Sequence, residues 1–234
     1  MVQSTIMCER SVCTYMPSKA PKGLLFMCID KPGTLARSLE YIEKYTGKEY
    51  GLACICVQPK NAYDEYTPWP APSIYSGQAP FTGKTDEYLK DGTETIIPWF
   101  CKENGLDFPA EKRGIVGYSL GGAAALYSFM KQGFFGHLGM CSGSVWYPGL
   151  IDRLKECALP ITSGCVYLSM GDREQTDFLK EFSNLNRQVK EIKTIFERKL
   201  DNPTCVKFEW SSGEHGDNIP ARLAQAMFYL ESEM

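Results

Sequence analysis

The sequence predicts an α/β protein: one doubly wound, mostly parallel sheet with an N-terminal antiparallel hairpin, formed as a single domain over residues 1–234. Two observations carry this. Short, continuous apolar runs alternate with segments of helical period, as strands covered on both faces alternate with the helices that cover them. One such run, through Ile115 and Val116, stops at Gly117-Tyr118-Ser119-Leu120-Gly121-Gly122, and the small-residue stretch Ala123-Ala124-Ala125-Leu126 follows at once. That is a strand, a tight turn and a helix in immediate succession.

Residues 1–16 alternate weakly and end at Pro17, which predicts the edge hairpin. Leu24–Ile29 is a buried strand, broken by Asp30-Lys31-Pro32-Gly33. Thr34–Tyr45 has Leu35, Leu39 and Ile42 on one helical face, and Gly51–Val57 is the next strand, closed by Pro59. Asn61–Gly83 is a long irregular stretch rich in proline and aromatic residues; a stiffened loop of that length suits a pocket wall. Thr85–Asn104 reads as a helix weakened by Gly92 and Pro98 and ended by Gly105. After the Lys112–Tyr118 strand and its helix come strands His137–Cys141, Cys165–Met170 and Val206–Trp210. Phe178, Phe182, Leu185, Val189, Ile192 and Phe196 step by four and three, which predicts an amphipathic helix over 178–196. Ala221–Leu230 closes the chain as a helix.

A net charge of −3 gives no electrostatic footprint for nucleic acid or an anionic membrane, and no apolar run reaches spanning length. The first ten residues lack the pattern of a signal peptide. Of ten cysteines, Cys28, Cys54, Cys56, Cys141 and Cys165 sit in apolar runs as small hydrophobes. With no Cys-x-x-Cys and two histidines, neither a zinc site nor any other cofactor is expected, and the reading is a reduced, cytoplasmic protein.

The Gly-x-Ser-x-Gly at 117–121, between a strand and a helix, has the context of the nucleophile elbow of an α/β-hydrolase fold. Its glycines let backbones approach while the hydroxyl stands free, and the helix N-terminus favours a developing oxyanion. A serine needs a base, and the chain offers two. His137 begins a strand, at the end of the sheet away from ligand sites, and reads as structural. His215, in Ser212-Gly213-Glu214-His215-Gly216-Asp217, follows the last strand at the ligand edge, which marks it as the base. The acid that orients it is sought after the preceding strand, in Gly171-Asp172-Arg173-Glu174. Glu174 can reach back over the sheet edge and is favoured; Asp172, better placed to cap the turn, is the alternative, with Asp177 and Asp217 behind them.

The ordered set Gly117-Tyr118-Ser119-Leu120-Gly121-Gly122, Gly171-Asp172-Arg173-Glu174 and Gly213-Glu214-His215 resembles the Putative esterase family of α/β-hydrolases, which includes enterochelin-type esterases, feruloyl esterases and S-formylglutathione hydrolase. The resemblance covers nearly the whole chain. It implies metal-independent hydrolysis of carboxylic esters through an acyl-serine, and it places the acid at Glu174. Family members commonly carry His-Gly after the third strand, where a backbone N–H completes the oxyanion hole; this chain has Asp30-Lys31-Pro32-Gly33. Leu120 N–H is then one donor and Asp30 or Lys31 the other, since Pro32 has no N–H. Trp69, Tyr75 and Trp146 are candidate walls for an aromatic or sugar-linked acyl group of a small-molecule ester. The same triad could serve acyl transfer or thioester cleavage, and a non-catalytic binding protein on this fold is the rival reading.

Overall fold

The computed structural model describes every residue except Pro32, Tyr75, Asp177 and Phe178. Eight strands form one sheet: β1 (Val2–Met7), β2 (Arg10–Tyr15), β3 (Leu24–Cys28), β4 (Ala53–Val57), β5 (Arg113–Tyr118), β6 (His137–Cys141), β7 (Val166–Gly171) and β8 (Val206–Ser211). Their order is β1-β2-β4-β3-β5-β6-β7-β8. The hairpin β1–β2 joins antiparallel, β2 pairs antiparallel with β4, and all later pairings are parallel. The expected edge hairpin and doubly wound sheet are both present.

Helices on both faces explain why the central strands lack alternation. Every residue of β3, β4 and β6 is buried. Successive side chains point to opposite faces, so Phe26 enters one core and Met27 the other. Helices α1 (Thr34–Thr46) and α8 (Ile219–Glu233) cover the Met27 face. The opposite face carries α2 (Ala62–Glu65), α3 (Thr85–Lys90), α4 (Ile97–Asn104), α5 (Leu120–Lys131), α6 (Leu150–Glu156) and α7 (Leu185–Lys199).

This winding opens the site. The chain leaves β3 for α1 on one face and leaves the adjacent β5 for α5 on the other. Helices that part to opposite faces leave a crevice at the carboxyl ends of those two strands, where α/β sheets bind ligands. Helix α8 returns under the elbow against β5, β6 and β7.

Three segments differ from expectation. The Thr85–Asn104 helix is continuous but passes through a π-helical turn, Asp91–Ile96, between α3 and α4. Gly92 lies there because a Cβ would come within 2.8 Å of the Phe26 ring. The amphipathic helix begins at Leu185, not Phe178: Lys180–Phe182 is a 3₁₀ turn, and Phe178 lies outside the described residues. Phe182 packs edge-on against Trp146, at 5.9 Å between centroids, so it is half-buried at the pocket wall and not on the helix face. Within 61–83 the chain forms α2, and a bridge between Ala71 and Phe81 closes a compact loop.

Candidate active site

Ser119 occupies the single residue between β5 and α5, with φ 57° and ψ −125°. An L-residue reaches that conformation only at a cost of about 1–3 kcal/mol, held by its surroundings. The surroundings are backbone. A Cβ on Gly117 would lie 2.0 Å from Gly121 O, and one on Gly121 would lie 2.1 Å from Cys28 O. The glycines at 117 and 121 are therefore set by close approach of β5, α5 and the end of β3.

Ser119 Oγ lies 2.9 Å from His215 Nε2, and His215 Nδ1 lies 2.7 Å from Glu174 Oε2. Burial deepens along this line: the His215 side chain is 52% exposed and that of Glu174 2%. Burial pushes the Glu174 carboxyl up, but hydrogen bonds from His215 and Ser142, the His215 charge and the Gly171 N–H outweigh it, leaving it below the usual carboxylate range. An ionised carboxylate accepts only, so Nδ1 carries the ring proton and Nε2 is left to accept from Ser119.

Asp172 and Asp217 are engaged elsewhere. Asp172 Oδ1 accepts from Gly213 N at 2.9 Å, stapling the β7 turn to the histidine loop. Asp217 Oδ2 accepts from Glu214 N at 2.8 Å within that loop. Asp177 lies outside the described residues. His137 is buried: its Nδ1 accepts from Cys165 N at 3.2 Å, its Nε2 meets Glu111 O at 2.8 Å, and burial lowers its pKa.

Sequence reading missed Arg222, in the first turn of α8 and 1% exposed. Its Nη1 donates to Glu174 Oε1 at 2.6 Å, to Ser142 Oγ at 2.8 Å and to Tyr118 OH at 3.1 Å. Its Nη2 donates to Glu214 O at 2.9 Å. Tyr118 OH in turn donates to His215 O at 2.5 Å.

A cavity of about 350 Å³ opens over Ser119, at the lower end of the range for small-molecule sites. Asp30, Lys31, Leu120 and Trp146 line it, together with Tyr63, Phe182 and Leu185. Trp69 is a correction. It stands outside the lining; its Nε1 donates to Pro148 O at 2.9 Å, and its ring packs against Tyr127 and Tyr147. The loop turns this tryptophan back onto the scaffold and sends Tyr63, on α2, to the wall instead. Tyr75 lies outside the described residues. At the opposite sheet edge, Cys165, Cys205 and Glu233 bring ligand-type atoms within 4.8 Å of one another, the one such group among the described residues. No helix among the described residues is long and apolar enough to cross a membrane.

A family profile described as Putative esterase matches residues 28–217. The uncharacterized protein YbbA of Bacillus subtilis (strain 168) is 32% identical over 182 residues, spanning 76% of this chain and 73% of YbbA. The siderophore hydrolase EstA from Aspergillus nidulans superposes with a TM-score of 0.73 at 15% identity, over 99% of this chain and 94% of EstA. A ferulic acid esterase superposes with a TM-score of 0.68 at 12% identity, over 100% of this chain and 98% of its own. At these identities the structural likeness is one of fold, that of the α/β-hydrolases.

Proposed function

The chain belongs to the Putative esterase family and is a carboxylic ester hydrolase, and from that premise we propose that it works through Ser119, His215 and Glu174 with an acyl-serine intermediate. The observation that carries this is the unbroken line of contacts, 2.9 Å from Ser119 Oγ to His215 Nε2 and 2.7 Å from Nδ1 to Glu174. Ser119 Oγ attacks the ester carbonyl as His215 Nε2 takes its proton. The tetrahedral intermediate expels the alcohol, which receives that proton. Water, activated by His215, then attacks the acyl-serine, releasing the acid and restoring the hydroxyl.

The oxyanion is met by the N–H of Leu120 at the start of α5 and, in this reading, by that of Lys31 in preference to Asp30. Gln58 Nε2 donates to Asp30 O at 3.1 Å. Gln58 follows β4, on the side of β3 away from β5. In a trans peptide the C=O and the following N–H point oppositely, and no described peptide is cis. Pinning Asp30 O toward β4 thus turns Lys31 N–H toward β5 and Ser119.

The substrate we infer is a small-molecule ester with an aromatic acyl group, resting between Tyr63, Trp146 and Phe182. One fold relative is named for esters of ferulic acid, whose acyl group is aromatic. The cytoplasmic setting remains part of this reading, supported by ten cysteines that are all free thiols. Incubation with p-nitrophenyl acetate and a fluorophosphonate probe tests the mechanism. Wild type should turn over the ester and take the label at Ser119, and Ser119→Ala should do neither. Labelling elsewhere, or hydrolysis surviving in Ser119→Ala, would reject it.

A further inference from the structure

Arg222 neither attacks nor carries the proton, yet it holds the supports of both groups that do. We propose that Arg222 is a positioning residue for this site: it commits Glu174 to His215 through a single oxygen, and it fixes the loop on which His215 rides. The inference rests on the Ser119–His215–Glu174 reading above.

Glu174 Oε1 receives three donors, each at 2.6 Å: Arg222 Nη1, Ser142 Oγ and Gly171 N. Oε2 faces His215 Nδ1. A carboxylate otherwise presents either oxygen; three donors in fixed directions on one of them select the other. Nη2 acts on the histidine side, donating to Glu214 O at 2.9 Å and, more weakly, to Ser212 O at 3.4 Å. Nη1 also donates to Tyr118 OH, which donates to His215 O. The carbonyls of residues 212, 214 and 215 are therefore all tied to one guanidinium, directly or through one hydroxyl.

That matters because the loop's other fastenings, Asp172 Oδ1 to Gly213 N and Asp217 Oδ2 to Glu214 N, reach neither Glu174 nor His215. His215 lies in the loop between β8 and α8, with its own residue and both neighbours exposed. A displacement of about 1 Å in such a group can cost roughly a hundredfold in rate. Burying a guanidinium is costly, and an apolar side chain of similar volume would serve packing as well or better. The hydrogen bonds that Arg222 donates go instead to Glu174, to the histidine loop and to the two hydroxyls that bond them.

The charge leaves a signature that packing alone would not. A cation at Glu174 offsets part of the carboxylate's pull on the protonated imidazole. A neutral replacement strengthens that pull and moves the acid limb of kcat/KM to higher pH. The other titratable or charged groups around this centre are Tyr118 from β5, Cys141 from β6, Asp172 and Arg173 after β7, and Glu214 and Asp217 in the loop, with Asp30 and Lys31 after β3 and Tyr63 and Tyr66 at α2 across the cavity. All are unchanged in the variants below.

The test compares Arg222→Gln and Arg222→Lys, each in wild-type and Glu174→Gln backgrounds, by p-nitrophenyl acetate kinetics across pH with thermal melts alongside. Arg222→Gln should lower kcat about 10–100-fold with KM nearly unchanged and raise the acid limb by about half a pH unit or more. Arg222→Lys, keeping the charge but not the fork, should leave the limb in place and recover part of kcat. In the Glu174→Gln background, Arg222→Gln should cost less than about threefold more, because groups acting as a unit do not add. A fully additive loss, or wild-type kcat and pH profile in Arg222→Gln, overturns the proposal. Should Arg222→Gln fail to fold, Arg222→Lys decides: reduced kcat at an unchanged melting temperature supports the role, and wild-type kcat rejects it. Ser119→Ala run in parallel separates the two levels. If it still hydrolyses, the serine mechanism has failed; if it is inactive while the Arg222 variants match wild type, this inference alone has failed.

Discussion

Exchanging Glu174 for glutamine keeps the side-chain volume, and the structure decides how the new amide must face. The Oε1 position is met only by donors, from Arg222, Ser142 and Gly171. The amide oxygen must take that place, which turns the amide NH₂ toward His215 Nδ1, 2.7 Å from the other oxygen. A donor there makes Nδ1 accept and puts the ring proton on Nε2, facing Ser119, where an acceptor is needed. The corresponding exchange in a serine-protease triad costs about 10⁴ in kcat through the same wrong tautomer. For Glu174→Gln we expect a loss of about 10³–10⁴, or roughly 4–5.5 kcal/mol of barrier. Removing the anion beside buried Arg222 also destabilises the fold, by at most about 3–5 kcal/mol, since the amide oxygen still accepts. Asp172→Asn is the control: the bond from Gly213 N needs only a carbonyl oxygen, so activity should stay within about threefold. The assay is kcat/KM on p-nitrophenyl acetate at a temperature where melts show each protein folded. A folded Glu174→Gln within tenfold of wild type, or an inactive Asp172→Asn, would refute this account of the acid.

Ser119→Ala and His215→Ala should each lower hydrolysis by about 10⁴-fold or more, with the double variant little worse than either; additive losses would argue against a shared mechanism. Trp146→Ala should raise KM for bulky aromatic esters more than for acetyl esters, because Trp146 lines the cavity. Trp69→Ala, outside the lining and packed on Tyr127 and Tyr147, should lower stability by about 2 kcal/mol, less than a fully buried tryptophan, and leave the ratio of the two esters unchanged. His137 carries a prediction in pH: burial lowers its pKa below 6.5, so below that pH the unfolded chain binds a proton that the folded one does not. Stability should fall as pH drops through this window, by at most about 1.4 kcal/mol per pH unit from this group. Melts at pH 7.5 and 5.5 should show a smaller decrease in His137→Gln than in wild type, and equal decreases would reject the assignment.

The strands were legible because both sheet faces are covered, which turns β3, β4 and β6 into continuous apolar runs. The start of α7 was not, and the reason is physical. Apolar spacing reports that a side chain is buried, not what buries it. Phe182 keeps the period of Leu185, Val189 and Ile192, yet it sits in a 3₁₀ turn and packs on Trp146 at the pocket. Trp69 and Tyr63 fail in the same way. Proline and aromatic content marks the stretch as a packed loop, but which ring faces the cavity depends on α2 and on the Ala71–Phe81 bridge, contacts that composition does not encode.

Ser119 was legible because its turn is local: the close approaches that demand glycine at 117 and 121 arise within one strand–helix junction and the end of β3. His215 was legible by scarcity, since only one other histidine exists and it begins a strand. Glu174 and Asp172 lie two residues apart, and either could have reached an imidazole. What separates them is the direction each takes: one toward Arg222 and Ser142 below the sheet edge, the other toward Gly213 N across the turn. Arg222 left no signal at all. An arginine in the first turn of a C-terminal helix reads as a solvated charge, and it becomes a partner of Glu174 only because α8 crosses back beneath β5, β6 and β7. The two groups come from elements 48 positions apart and share no motif. A charge whose desolvation is offset by such contacts is invisible until the sheet is assembled, which is why this partner of the acid had to be found in the structure.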